Sequence, residues 1–288
     1  MRILTDWLTE WIKSLLVGGI MGNLGGLFDR VNDQVGDIAV RVGMTPWAFN
    51  PGVFNLIRAL SETVVLPIAG LLLTFVMTWE LIHLIIDRNN LHEVDTWIFF
   101  RWVFKTFIAV LLLSNTFNIV MGIFDVAQSV ISSAGGLIAG STSMSPNMMA
   151  TLEDELMFMD VGPLLGLWLQ SFLIQIVTVI MSIVIFIIVY GRMIEIYILT
   201  SLAPLPMATL TNPEMSSMGH NYLKALLAVG FQGLLIMVCV AIYAVLIQSI
   251  GISGNPIGAI WSALGYTALL CFTLFKTGTI AKSIFSAH

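Results

Sequence analysis

Glu80, His83 and Asp87 recur at helical spacing on one face of an apolar stretch, and Arg101 and Lys105 share a face of the next one. Carboxylates, an imidazole and two cations are the groups here that can pair ions, pass protons or hold a cation. A charge at the centre of a bilayer costs about 2.5 kcal/mol or more unless it is paired or reaches the headgroups. If the two stretches fold back on each other about Leu91, Glu80 comes level with Lys105 and His83 level with Arg101. Two readings fit this register: an intramembrane Glu80–Lys105 ion pair, and separate snorkelling of both side chains to the inner headgroups.

A second set of polar residues lies in RMIEIYILTSLAPLPMATLTNP, residues 192–213. Arg192 and Glu195 are three apart and can pair locally on a helix. Pro204, Pro206 and Pro213 interrupt an otherwise apolar segment that is too broken to span. A half-helix that enters from the cytoplasmic side and returns, or an interfacial elbow, fits it, because irregular backbone at membrane depth must be covered by protein or face water. Enzyme chemistry is not signalled. There is no phosphate-binding glycine loop, no Gly-x-Ser-x-Gly elbow and no metal-spaced His/Cys cluster. His83 and His92, with Glu93 and Asp95 nearby, lack the spacing of a metal set. The sixteen Met residues read as adaptable packing. No catalysis, metal or cofactor is expected.

The elements that must carry these residues follow from hydropathy. The chain is 58% hydrophobic and 10% charged, with a mean hydropathy of +0.95, against about 25% charged in soluble domains. A net charge of −5 disfavours a nucleic-acid-binding surface. Uncharged runs occupy residues 63–79, 106–124, 161–191 and 225–275, the last broken by a polar turn at 251–256. Beyond residue 62, Lys and Arg are confined to alternate connectors: Arg88, Arg101 and Lys105 in one, Arg192 and Lys224 in another, Lys276 and Lys282 in the tail. Residues 125–160 carry no cation but hold Asp125, Glu153, Asp154, Glu155 and Asp160. The positive-inside bias then predicts an all-α polytopic protein of the cytoplasmic membrane. It has about five spans near 63–86, 98–122, 163–190, 224–250 and 257–276, with the N-terminus outside and the C-terminus cytoplasmic. Residues 1–62 form an extramembrane part, and 63–288 the transmembrane domain with its elbow at 192–213. Cys239 and Cys271 fall inside spans, as small buried apolar groups rather than a disulfide.

The N-terminal segment admits several placements. Ile3, Leu4, Trp7, Leu8, Trp11, Ile12, Leu15 and Leu16 recur in pairs every four residues, the pattern of an amphipathic helix lying in the interface. Gly18, Gly22 and Gly26 form a ridge that would let another helix approach closely. That ridge serves a subunit contact or an extra span. Ser132, Gly136 and Gly140 make a similar row, and for both rows packing within one subunit is the alternative. Asn115, Asn118, Gln170 and Gln175 could line a wet path or join helices by hydrogen bonds.

Several blocks resemble the TrbL-type polytopic inner-membrane proteins of conjugative type IV secretion systems, in the form found in mobile elements of Gram-positive bacteria. They are LTDWLTEW from Leu4, VGPLLGLWLQS at 161–171, YGRMIEIYILTSLAPLPMATL at 190–210, NYLKALLAVGFQGLLIMVCVAIYAVL at 221–246 and CFTLFKTGTIAKSIFSAH at 271–288. Lipid constrains apolar strings, so Arg192, Glu195, the two Pro of APLP, Gln232 and the Lys276 to Lys282 tail carry most of the likeness. The resemblance implies a core channel or platform subunit, oligomeric, helping to move relaxase-bound single-stranded DNA across the membrane. Its implied partners are membrane lipid, further copies in a ring, and other secretion-system subunits: channel, assembly ATPase and extracellular or cell-wall-side components. It implies neither catalysis nor a cofactor, and DNA contact at most transiently. A wall that grips single-stranded DNA would combine cations with aromatic stacking, whereas these spans hold almost no internal Lys or Arg. A platform that seals the membrane around the path is therefore expected rather than a DNA-binding conduit. A small-molecule or ion transporter built on the broken 192–213 segment is the alternative.

Overall fold

The computed structural model describes residues 2–86, 96–138, 146–249 and 256–287, and every regular element in them is helical. Helices α1 (Arg2–Val42), α2 (Pro46–Phe49) and α3 (Pro51–Ala59) lead through a π turn, Leu60–Val65, into α4 (Leu66–Ile86). Then come α5 (Thr96–Ser114), α6 (Thr116–Ile138), α7 (Pro146–Met157), α8 (Val161–Leu202), α9 (Pro204–Thr209), α10 (Ser216–Gln248) and α11 (Pro256–Ile284). Six stretches are long and apolar enough to cross a bilayer: Pro51–Ile86, Trp97–Ser114, Thr116–Ala134, Val161–Leu202, Ser216–Ile247 and Trp261–Ile284. The protein is thus an all-α, multi-pass membrane protein.

The sixth stretch arises where the expected second span, 98–122, is interrupted at Asn115. Its side-chain amide donates to the Leu111 carbonyl at 2.9 Å, an oxygen that the Asn115 main-chain N–H also reaches at 3.3 Å. A short amide competing for helix carbonyls disturbs the turn locally. The ladder resumes at once, with Ile119 N–H donating to the Asn115 carbonyl at 3.0 Å. Sequence periodicity passes over such a break, because the apolar pattern on either side is unchanged.

Local signals explain the other boundaries. Thr45 and Asn50 cap successive short helices, their side-chain oxygens accepting from Ala48 N–H at 3.2 Å and Val53 N–H at 3.0 Å, each with Pro as first helical residue. In the π turn Leu66 N–H donates to Ser61 O, five residues back, and the Thr63 hydroxyl donates to Ala59 O at 2.6 Å. Helix α8 runs on to Leu202, so Arg192 and Glu195 lie on a continuous helix. The break expected over 192–213 begins only at Ala203, in a tight elbow that follows the end of α8. Proline acts only on its own turn and the residue before it, so Pro204 stops the helix at its end without melting the preceding turns.

The chain divides into two compact units whose boundaries fall inside α6, α8, α10 and α11 and in the turn after α1. The first comprises residues 1–43, 132–190 and 235–277. In it α1 packs on α7, and Val17, Ile20 and Leu24 of α1, Leu152 and Leu156 of α7 and Leu164 of α8 are all buried. Tyr243 and Thr267 share a hydroxyl hydrogen bond at 3.0 Å between α10 and α11, and both cysteines are free thiols. The second unit comprises residues 44–131, 191–234 and 278–288. One of its cores joins Val120, Phe124, Met193, Ile196, Tyr197, Leu226 and Val229. Another joins Ala69, Leu73, Val76, Met77, Ala109, Leu113 and Ala208.

Candidate functional site

In the second unit α4 and α5 pack side by side, and Lys105 Nζ donates to Glu80 Oε1. The pair is part-buried, with the Glu80 side chain 14% and the Lys105 side chain 28% exposed. The elbow completes the group: Asn212 Nδ2 reaches the second Glu80 oxygen at 3.5 Å, and Trp79 Nε1 reaches Glu214 Oε2 at 3.4 Å. His83 lies against the Trp79 ring, centroids 4.8 Å apart, with Nδ1 hydrogen-bonded to the Trp79 carbonyl at 3.1 Å. Trp79, Glu80, His83, Asn212 and Glu214 border a cavity of about 150 Å³. The arrangement neutralises the part-buried Lys105 ammonium and ties the α4–α5 hairpin to the elbow. Arg101, on the Lys105 face in sequence, is exposed, and Asp87 and His92 lie outside the described residues. Among the described residues no three His, Cys, Asp or Glu side chains gather as a metal set.

Arg192 and Glu195 part company. The Arg192 side chain is buried, and its Nε and Nη2 donate to the Val229 and Gly230 carbonyls of α10 at 3.2 and 3.1 Å. Glu195 instead meets Lys282 at 3.0 Å. The local Arg192–Glu195 pair read from spacing is replaced by contacts to partners distant in the chain. Two glycines unremarked in the sequence allow close packing here, Gly233 against the guanidinium and Gly230 against α6. A Cβ on Gly233 would fall 2.5 Å from Ile131 Cδ1 and 2.7 Å from Arg192 Nη2, and one on Gly230 would fall 3.3 Å from Ala127 Cβ. Pro204 and Pro206 sit in α9, and Gly219 closes the elbow, where a Cβ would meet the Pro206 carbonyl at 2.9 Å.

The small-residue rows behave differently from their neighbours. A Cβ at Gly18, Gly22 or Gly26 would meet nothing within 4 Å, whereas one at Gly19 would fall 2.6 Å from the Trp168 indole nitrogen. Gly19 therefore packs α1 on α8, and the ridge beside it is open. Ser132 is exposed, Gly136 lies in α6 and Gly140 falls outside the described residues. Of the amides, Asn118 is exposed beside a cavity and Gln170 keeps a buried Oε1 without a partner.

A family model described as TrbL/VirB6 plasmid conjugal transfer like protein matches residues 31–204, more than half of the chain. The chain belongs to the TrbL/VirB6 family. Comparison with curated proteins and with solved structures gave no match. The matched TrbL/VirB6 region takes in the Glu80–Lys105 pair and Arg192, and stops at Pro204, the first residue of the elbow helix. Membership makes this chain a multi-pass membrane subunit of a conjugative transfer system. It is a structural component that works in the membrane with other secretion-system subunits.

Proposed function

We propose that this TrbL/VirB6 protein is a ring-forming platform subunit that holds the channel, the assembly ATPase and the outer components together. It seals the membrane around the path of relaxase-bound single-stranded DNA without gripping the DNA itself. The observation that carries this reading is the use of cations at membrane depth: Lys105 is engaged by Glu80 and Arg192 by α10 carbonyls. Charges bound internally are not offered to phosphates, whereas a gripping wall needs free cations beside aromatic faces. The open Gly18, Gly22 and Gly26 ridge supports contact between copies, since close helix approach in lipid uses small residues. The cation distribution among connectors supports an outside N-terminus and a cytoplasmic C-terminus. The test is photocrosslinking of transferring DNA during conjugation. Crosslinks absent from Asn115 and Gln175 while the native complex co-purifies support a platform; strong crosslinks at these positions would make it a DNA-binding conduit.

A second reading, a small-molecule or ion transporter, draws on one feature. The π turn, the region of the Asn115 break and Pro204 all border a cavity of about 250 Å³ lined by Ser61, Glu62, Ser114, Thr116 and Asn118. Broken helices around a polar cavity are how transporters bind solutes. Substrate-dependent thermal stabilisation of a detergent-solubilised monomer would favour it over a platform.

A further inference from the structure

We infer that the outward polar face of α1, from Arg30 to Val40, borders a water-filled passage through the bilayer beside α8. The inference starts from register within the first unit. Gly19 abuts Trp168. Asn23 Nδ2 donates to the Ser171 hydroxyl at 3.0 Å across a separation of 148 residues, and Arg41 Nη1 donates to the Tyr190 hydroxyl at 2.8 Å across 149. Separations that agree to within one residue at both ends mean that the two helices run parallel and in step over residues 19–41 and 168–190. At about 1.5 Å per residue this shared length is about 34 Å, enough for a hydrocarbon core of about 30 Å.

The α8 partner fixes the depth. Residues 168–190 contain no charged side chain, and the most apolar 18-residue window among the six candidate spans lies within Val161–Leu202. This is the stretch with the strongest claim on the bilayer interior, so the matching part of α1 lies at lipid depth, not in the extramembrane position expected for residues 1–62.

The composition of α1 there is wrong for lipid. Its inner face, Ile20, Leu24, Ile38 and Val42, is buried. Away from that face stand Arg30, Asp33, Gly36 and Val40, all exposed, while Asp37, also exposed, stands on the flank where α1 and α8 border a cavity of about 200 Å³ with Arg41, Ser182 and Tyr190. Asp37 accepts from Arg41 Nε at 3.1 Å on the helix surface. Charged groups at membrane depth face a water-filled cavity or a polar partner, not acyl chains. The side of α8 turned to α1 is also its polar side: Ser171, Thr178 and Ser182 recur along it, each donating to its own main chain. Asp33 and Asp37 offset Arg30 and Arg41 on this side of α1, so a hydrated path bordered by it offers a polyanion no net positive charge to hold it. The inference deepens the platform reading and rests on it for what travels through the passage.

Thiol labelling tests hydration without any transfer assay, so its failure is separable from failure of the platform reading. In the full-length protein with Cys239→Ala and Cys271→Ala, single changes Asp33→Cys, Gly36→Cys and Val40→Cys are exposed in membrane vesicles to a charged, impermeant methanethiosulfonate. Ile183→Cys and Ile187→Cys, exposed on α8 at 55% and 56%, serve as lipid-facing controls. Because thiolate is the reacting form, the α1 positions should react at least about tenfold faster than the controls. The pairs Asn23→Cys with Ser171→Cys and Arg41→Cys with Tyr190→Cys should crosslink on oxidation in the same vesicles. Equal protection of Asp33→Cys and Ile183→Cys would overturn the inference in favour of lipid or a second copy against α1. Equal high reactivity would place both helices outside the bilayer and overturn it as well, and so would loss of both crosslinks.

Discussion

Glu80 holds two partners with one carboxylate, and the consequence is asymmetric. Glu80→Gln leaves the Lys105 ammonium part-buried without its counter-charge, a loss of about 1–3 kcal/mol, moderated by the residual exposure of both side chains. Its midpoint of thermal unfolding in detergent should fall, and adding Lys105→Met should recover most of it, because removing both charges removes the desolvation cost. No recovery in the double variant would mean that the two residues act separately. Gly233→Ala should destabilise by about 1–3 kcal/mol through overpacking, since the added carbon overlaps Ile131 and the Arg192 guanidinium. A wild-type melting curve for Gly233→Ala would show that Arg192 moves aside freely. The charged members of these contacts stand out in an apolar sequence. The glycines do not, because a glycine that makes room for a distant guanidinium has the same local signature as one in any membrane helix.

At the scale of elements, spans were legible, and the proline-rich break was too, but neither its starting residue nor the break at Asn115 was. Apolar length comes from composition, so α4, α8, α10 and α11 can be placed from hydropathy. Whether Asn115 interrupts a helix depends on which carbonyl its amide takes. Where α8 ends depends on Pro204 alone, not on the whole proline-rich stretch. The elbow has its own test: Gly219→Ala sets a carbon against the Pro206 carbonyl and Leu210 Cα, main-chain atoms that cannot rotate away. Its cost should be at the upper end of about 1–3 kcal/mol, read as lower detergent stability. In α1, Gly19→Leu should weaken docking on α8 against Trp168 and lower the melting temperature.

For the whole molecule, contact within a subunit and contact between subunits should separate in neighbouring glycines. Gly22→Leu adds bulk where the subunit has open space, so the melting temperature of the protomer should stay near wild type while the assembled ring is lost. Size-exclusion chromatography in mild detergent checks this. An unchanged oligomer with Gly22→Leu would remove the ridge from the interface. Conjugation frequency should fall with the oligomer and not with the protomer's stability.

The amino-acid sequence determined the solvent of this protein and its secondary structure, since transfer of apolar side chains to lipid and satisfaction of the backbone within helices are local, additive effects. It also carried the family likeness, in polar residues kept within apolar strings. Tertiary structure decided the rest. That Arg192 turns to α10 and Glu195 to Lys282, that Gly19 packs while Gly22 stays open, and that a charged helix runs in step with the most apolar one all depend on which faces meet. A helix's periodicity specifies its faces; only packing against neighbours far away in the chain selects the partner of each.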